Sequence, residues 1–276
     1  MSALTAPTRM QDWTCDMGLY FDDIHEVKES QLGNAPVTVG DTDAIKALRA
    51  LSETEETLAK LEQALYKQLR FKECIEILTK LMALCPDNEE YIRKRAGRYL
   101  SILRHDKAIW DFLTCLSRGG DKLDIYYRMG LCRFFEGNCE SALALFEDAF
   151  NLADDEMGIA AMYWHTLACA KSGHFKILLM RYSPDMQTGH HTAYDLAMSV
   201  WAGYTTPEDA LLKLADEPDD MEYDIAAYGI AYYLKINGDT ERYNRLMQNI
   251  LSRDDLWNCF AYLAAYNDIN KKAATD

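Results

Sequence analysis

The chain is poor in the residues that interrupt helices and in the long apolar runs that cross membranes. Its 276 residues include only 6 prolines and 14 glycines, and these lie between apolar segments, as is typical of a helical protein. No stretch approaches the roughly 20 apolar residues of a membrane-spanning helix. Residues 1–13 carry no apolar core of signal-peptide length. We therefore expect a cytoplasmic protein with no membrane partner.

Basic residues are also few relative to acidic ones. Lys and Arg total 29 against 44 Asp and Glu, which gives a formal net charge of −15. Such an excess keeps a protein soluble and repels phosphate backbones, so we expect no nucleic-acid partner. The hydrophobic fraction of 49% is that of a globular protein, and a chain of this length can bury a large core.

Motifs that carry catalysis or hold cofactors are missing. There is no Gly-rich phosphate loop, no Gly-x-Ser-x-Gly elbow, no His-Glu-x-x-His and no dinucleotide-binding fingerprint. The eight cysteines form no Cys-x-x-Cys pair and fall mostly within helical patterns, so we interpret them as small buried thiols. We predict a protein that is not an enzyme and that needs no cofactor.

Histidines are the one group that resembles a metal site. His165, His174, His190 and His191 lie close in sequence, with Asp185 nearby. Imidazole and carboxylate groups bind divalent metals. However, adjacent histidines project in different directions and no His-x3-His helical pair occurs, so the sequence favours no metal site.

A repeat organises the middle of the chain. The small residues Cys74, Ala108 and Ala142 are spaced 34 positions apart. Larger apolar residues follow each of them by four positions, namely Leu78, Phe112 and Phe146. Preceding helical segments keep the same register, with Ala96 and Gly130 at equivalent positions. A fixed period of this length indicates stacked helix pairs, each of which buries an apolar face that it cannot bury alone.

A 34-residue helix-turn-helix unit with aromatic, small and proline positions in this order resembles the tetratricopeptide repeat over residues 55–156. The resemblance implies an all-α protein, an α-α superhelix (TPR-like solenoid) of about six helix pairs with a C-terminal capping helix. Three residues depart from the family pattern. Glu62 stands where a small residue belongs, and Arg95 and Arg133 occupy positions that are usually apolar, so we expect weaker packing there.

Three regions follow from this pattern. Residues 1–42 form an N-terminal extension and linker, residues 43–156 a first helix and three regular repeats, and residues 157–276 degenerate repeats and the capping helix. Within the last region, Thr206-Pro207 is a strong helix start, because it combines a capping hydroxyl with proline at the first helical position.

The resemblance also implies a ligand site on the concave side, which the first helix of each repeat lines. The matching residues are mainly basic in the first two repeats and mainly aromatic or apolar in the next two: Lys60, Gln63, Tyr66, Lys67, Arg93, Lys94, Leu100, Tyr127, Arg128, Leu131, Phe134, Tyr163, Trp164 and Leu167. We predict a protein–protein interaction module whose groove binds a peptide or protein segment with acidic and apolar residues. The alternative is a solvated helix face whose bases pair with Glu89, Glu90 and Asp124.

One candidate ligand lies in the chain itself. Residues 11–30 are rich in Asp and Glu and also contain apolar side chains such as Trp13 and Phe21. We hypothesise that this segment docks on the array, in its own chain or in a partner chain. The alternatives are a disordered tail or an extra packed helix.

Two other functions stay open. Acidic tetratricopeptide chaperones of type III secretion hold unfolded translocator proteins, and this chain is similar in charge although longer than that family needs. An enzyme or small-molecule sensor is the alternative from another class, with a pocket in residues 157–276, where tyrosine is abundant. Tyrosine also fills helix interfaces while its hydroxyl reaches water. The sequence fixes neither the partner nor the oligomeric state.

Overall fold

The computed structural model describes residues 40–253 and 256–273, and each regular element in this part of the chain is a helix, which confirms the all-α prediction. The helices are α1 (Asp43–Arg49), α2 (Glu55–Tyr66), α3 (Phe71–Leu84), α4 (Glu89–Ser101), α5 (His105–Ser117), α6 (Lys122–Glu136), α7 (Cys139–Leu152), α8 (Asp155–Ser172), α9 (Thr192–Trp201), α10 (Pro207–Ala215), α11 (Asp220–Ile236), α12 (Thr240–Leu251) and α13 (Phe260–Ala273). A short 3-10 helix, Leu178–Arg181, lies between α8 and α9.

Polar side chains set where several helices begin. Thr54 caps α2 in a reciprocal capping box with Thr57, and Asp154 accepts a hydrogen bond from the backbone of Met157 at the start of α8. Thr206 caps α10 with Pro207 at the first helical position, as its sequence signal predicts. Each cap satisfies a backbone N–H that has no partner within its helix.

The chain divides into two compact units, of which one ends at Asp121 and the other begins at Lys122. In the first unit α1 to α5 pack in sequence, each on the next. In the second unit α6, α7 and α8 pack in succession, and α11 contacts α8, α9, α10, α12 and α13. The boundary predicted at residue 156 falls in the first turn of α8, and α7 and α8 pack directly against each other.

Small residues lie where paired helices approach each other. Cys74, Ala108 and Ala142, which carry the 34-residue spacing, are all fully buried. At Gly130 of α6, a Cβ atom would lie only 2.6 Å from Cε1 of Phe146 in α7. The aromatic ring therefore rests on the backbone of α6, and glycine is the residue that leaves room for it.

The last helix does more than cover the end of a helix array, which is the role that the sequence pattern predicts for it. It packs on α11 and α12 and also on α6. Asn267 donates from Nδ2 to the carbonyl oxygen of Phe135 at 2.7 Å. Asp268 accepts from Lys171 of α8 at 2.6 Å and from Tyr228 of α11 at 2.7 Å. Helix α13 thus joins three helices that are distant in sequence.

We predict that Gly130→Ala destabilises the protein by about 1–3 kcal/mol, because the new methyl group displaces the Phe146 ring in a filled core. Chemical unfolding followed by circular dichroism measures the change. Gly158→Ala in α8 is the matched control, since its Cβ would meet Phe150 at an ordinary 3.5 Å. We expect the control to be neutral or stabilising by up to about 1 kcal/mol. Equal losses in both variants would contradict the packing account.

Candidate functional site

The predicted groove residues of the first unit lie on two neighbouring first helices. Six of them reach the surface and are called the basic face below: Lys60, Gln63 and Tyr66 on α2, Lys67 at its C-cap, and Arg93 and Lys94 on α4. Leu100 is fully buried, so it supports α4 from within rather than meeting a ligand. Helices α4 and α2 lie beside each other, and the hydroxyl of Tyr91 in α4 donates a hydrogen bond of 2.6 Å to Glu55 in α2.

Carboxylates on the same helices already pair with some of these bases. Lys60 Nζ lies 2.6 Å from Glu56, and Lys94 Nζ lies 2.8 Å from Glu90, one helical turn away in each case. The Lys94 pair is one that the solvated-face alternative predicts. Exposed pairs of this kind contribute only about 0–1 kcal/mol, so an arriving carboxylate can replace Glu56 or Glu90 at little cost.

A largely buried ion pair joins the two helices of the basic face. Glu62, which departs from the repeat pattern, is 3% exposed and lies 2.8 Å from Nη2 of Arg98 on α4. The guanidinium carbon of Arg98 also lies 3.6 Å from the ring centroid of Tyr66. The cation is therefore held between a carboxylate and an aromatic face. Glu62 does not loosen the packing, because the next first helix supplies its partner.

The second departure is paired in the same way. Arg95 makes two parallel hydrogen bonds of 2.8 Å to Asp111 of α5, and its Nη1 donates to Thr79 of α3 at 3.0 Å. Burial raises the pKa of Asp111, while the hydrogen bonds from Arg95 act in the opposite direction. Asp111 lies sixteen residues after Arg95, and no sequence pattern identified it as the partner. The arginine therefore ties α3, α4 and α5 together.

In the second unit the predicted groove is filled by the protein itself. Six of its seven predicted residues are buried: Tyr127, Leu131, Phe134, Tyr163, Trp164 and Leu167. Trp164 of α8 donates from Nε1 to the hydroxyl of Tyr127 in α6 at 2.9 Å, and Tyr163 donates to the carbonyl of Ile225 in α11 at 2.7 Å. These side chains form the core of the second unit here, which corrects the expectation of an open aromatic groove.

Arg128, the seventh of these residues, remains partly exposed. Its Nε lies 2.6 Å from Asp124, the partner that the solvated-face alternative predicts. Its guanidinium also lies 5.9 Å from the ring centroid of Phe260 in α13. The contacts of Arg128 are therefore with residues of the second unit, including one in the last helix.

The abundant tyrosines of the second unit lie mainly at helix interfaces. Burial raises the pKa values of Tyr163, Tyr194 and Tyr228 well above the usual value for a phenol, so these groups stay neutral. The rings of Tyr163 and Tyr194 meet edge to face, with centroids 5.0 Å apart. Tyrosine here supplies apolar volume with a hydroxyl that finds a hydrogen-bond partner.

A cavity of about 810 Å³ lies at one edge of the second unit. It is lined by residues of the segment after α8 and by the ends of α9 and α11, including Trp201 and Tyr233. Phe175 and Met180 at its rim are 73% and 72% exposed. Contiguous exposed apolar side chains on a soluble protein mark a contact surface. The apolar run from Phe175 to Met180, outside the repeat register, was the sequence signal for this cavity.

The histidines occupy different environments. His165 is buried, with Nε2 3.2 Å from Glu147, and burial lowers its pKa. His174 is exposed beside Ser172. His190 and His191 lie together at the far end of the loop that follows the 3-10 helix.

Compared with known proteins, the chain matches no protein-family model, and no curated protein matches it. Among the described helices, none is long and apolar enough to cross a membrane. The structure does not describe residues 1–39. The hypothesis that residues 11–30 dock on the array, and nearly all of the predicted extension (residues 1–42), therefore lie outside the described residues.

We predict that Glu62→Met destabilises the protein by about 2–3 kcal/mol, because it leaves the half-buried Arg98 without its carboxylate. The double variant Glu62→Met with Arg98→Met is expected to lie within about 1 kcal/mol of the natural protein, since it removes both charges. Urea unfolding measures both values. A double variant no more stable than the single one would show that the ion pair is not what the glutamate supplies.

We also predict a pH-dependent contribution from His165. Because its pKa is lower in the folded than in the unfolded chain, protonation favours unfolding as the pH falls below its ordinary value of 6.5. The natural protein should therefore lose more stability between about pH 7.5 and about pH 5.5 than His165→Gln does. Urea unfolding at the two pH values measures the difference, and identical losses would refute it.

Proposed function

We propose that the chain is a tetratricopeptide-like interaction module that binds a polypeptide segment on the basic face of its first unit. The observation that carries the proposal is that cationic side chains and Tyr66 reach the surface on two neighbouring first helices, which the Glu62–Arg98 pair joins. The 34-residue spacing and the side-by-side first helices support the family resemblance. In a chain of net charge −15, surface bases on two neighbouring helices favour an anionic ligand there.

The chemistry of the face defines the ligand. Lys60, Lys67 and Arg93 offer cations to carboxylates, while the ring of Tyr66 offers an apolar contact. A segment that alternates acidic and apolar residues fits both. Residues 11–30 have this composition, so that segment, from the same chain or a second copy, is the ligand we propose to test first.

The binding surface proposed here covers fewer repeats than the groove through four repeats that the sequence predicts. Because the corresponding side chains of the second unit are buried, binding is assigned to the two repeats of the first unit. The proposal also places the protein in the cytoplasm, in keeping with cysteines that are free thiols throughout residues 40–253 and 256–273.

Two alternatives have less support. The cavity of about 810 Å³ in the second unit favours a small-molecule sensor, but its rim is apolar and exposed rather than a closed cluster of polar groups. A secretion chaperone shares the acidic balance and the repeat pattern. An open apolar rim suits the docking of apolar side chains better than it suits catalysis.

Charge reversal on one helix tests the proposal. The full chain is used to capture bound polypeptides from a cross-linked lysate of the source cells. The double variant Lys60→Glu with Lys67→Glu should reduce this recovery by roughly tenfold, because like charges repel an acidic ligand. Lys72→Glu with Lys80→Glu makes the same charge change on α3, the second helix of the same pair, and should leave recovery unchanged. Equal recovery with both double variants would contradict the assignment.

The proposed ligand is tested separately. A labelled peptide of residues 11–30 is titrated into a chain lacking residues 1–39, with fluorescence anisotropy as the readout. We expect saturable binding that Lys60→Glu with Lys67→Glu weakens. If no binding is detected at high micromolar concentration, residues 11–30 are not the ligand.

A further inference from the structure

Three side chains that could hold a metal meet at the start of α8. Glu156 lies in the first turn of that helix, and His190 and His191 lie at the end of the loop that leads into α9. Each offers one ligand atom, and these atoms all lie within 4.8 Å of one another. The sequence pattern favoured no metal site, because adjacent histidines project in different directions and no His-x3-His pair occurs. It did not include Glu156, which lies more than thirty residues before the two histidines.

The loop is shaped around the carboxylate of Glu156. Gly189 has a φ of +56°, and a Cβ atom there would lie 2.5 Å from Oε1 of Glu156. The backbone N–H of His190 points to the same oxygen at 3.4 Å, and that of Gln187 donates to Asp155 at 3.1 Å. The left-handed conformation favours glycine at this position. The backbone thus brings the loop onto the helix terminus and places both imidazoles beside it.

The two imidazoles are oriented as metal ligands are. Nδ1 of His191 lies 2.5 Å from the backbone carbonyl oxygen of Glu156, which fixes the proton on Nδ1 and leaves the lone pair on Nε2. Nδ1 of His190 contacts a carboxylate oxygen of Glu156. The two rings are only 4.4 Å apart between centroids, so both imidazoles and the carboxylate of Glu156 present nitrogen and oxygen atoms to the same small space.

We propose that Glu156, His190 and His191 bind a divalent transition metal ion. Two nitrogen ligands and one carboxylate suit Zn²⁺, with water completing the coordination. The ion can enter without any change in the fold, since the side chain of His190 is 81% exposed. Bound metal would clamp the loop to α8, a structural role that is independent of peptide binding by the first unit.

Isothermal titration of the full chain with zinc sulfate near neutral pH, after treatment with a chelator, tests this site. We expect one equivalent of Zn²⁺ to bind, and His190→Ala with His191→Ala to weaken that binding by about tenfold or more. His174→Ala is the matched control, because it removes an exposed histidine of the same unit that lies outside the cluster. It should leave the affinity unchanged.

Thermal unfolding provides the second measurement. Zn²⁺ should raise the Tm of the natural protein and of His174→Ala, because a ligand that binds the folded state stabilises it, and it should not raise the Tm of His190→Ala with His191→Ala. Circular dichroism without metal checks that the variants are folded. Undiminished Zn²⁺ affinity in the double histidine variant would overturn the proposal, and so would an equal loss in His174→Ala.

Discussion

The close approach of paired helices at small residues is the constraint on which the rest of the structure depends. In α6 the ring of Phe146 rests on the backbone at Gly130, and in α11 the residue Gly229 meets the ring of Tyr163. A larger side chain at either glycine would separate the helices and leave unfilled space on both sides. Close pairing of this kind lets each of these helices bury its apolar face against its neighbour.

The local part of this arrangement was predictable from the sequence, and the reason is physical. Cys74, Ala108 and Ala142 reveal the helix pairs because a packing requirement repeats at a fixed spacing, and Thr206 with Pro207 reveals a helix start because capping is local. Contacts without a period were not predictable. The buried state of Tyr127 and Trp164 depends on helices far away in the chain, and no pattern near those residues reports it.

The candidate site shows the same division. The pattern identified the exposed bases of α2 and α4, but it treated Glu62 and Arg95 as defects. Both are compensated by partners on neighbouring helices, Arg98 and Asp111, that match them in charge and reach. A charged residue at a position that is usually apolar therefore indicates that the fold supplies an oppositely charged partner, rather than that the packing is weak. An unpaired buried charge is too costly to persist. The cluster of Glu156, His190 and His191 was likewise not predictable from the sequence, since only the folded loop brings these residues together.

The contact between Asn267 and Phe135 spans 132 residues and has a consequence for synthesis. Helices of the first unit pack on their neighbours in sequence, so they can associate soon after they leave the ribosome. The second unit cannot complete its core until α13 has been made, because α13 packs on α6 and α11. During that interval the surfaces of α6 and α11 that α13 covers are open in the nascent chain, and a cellular chaperone would have to shield them.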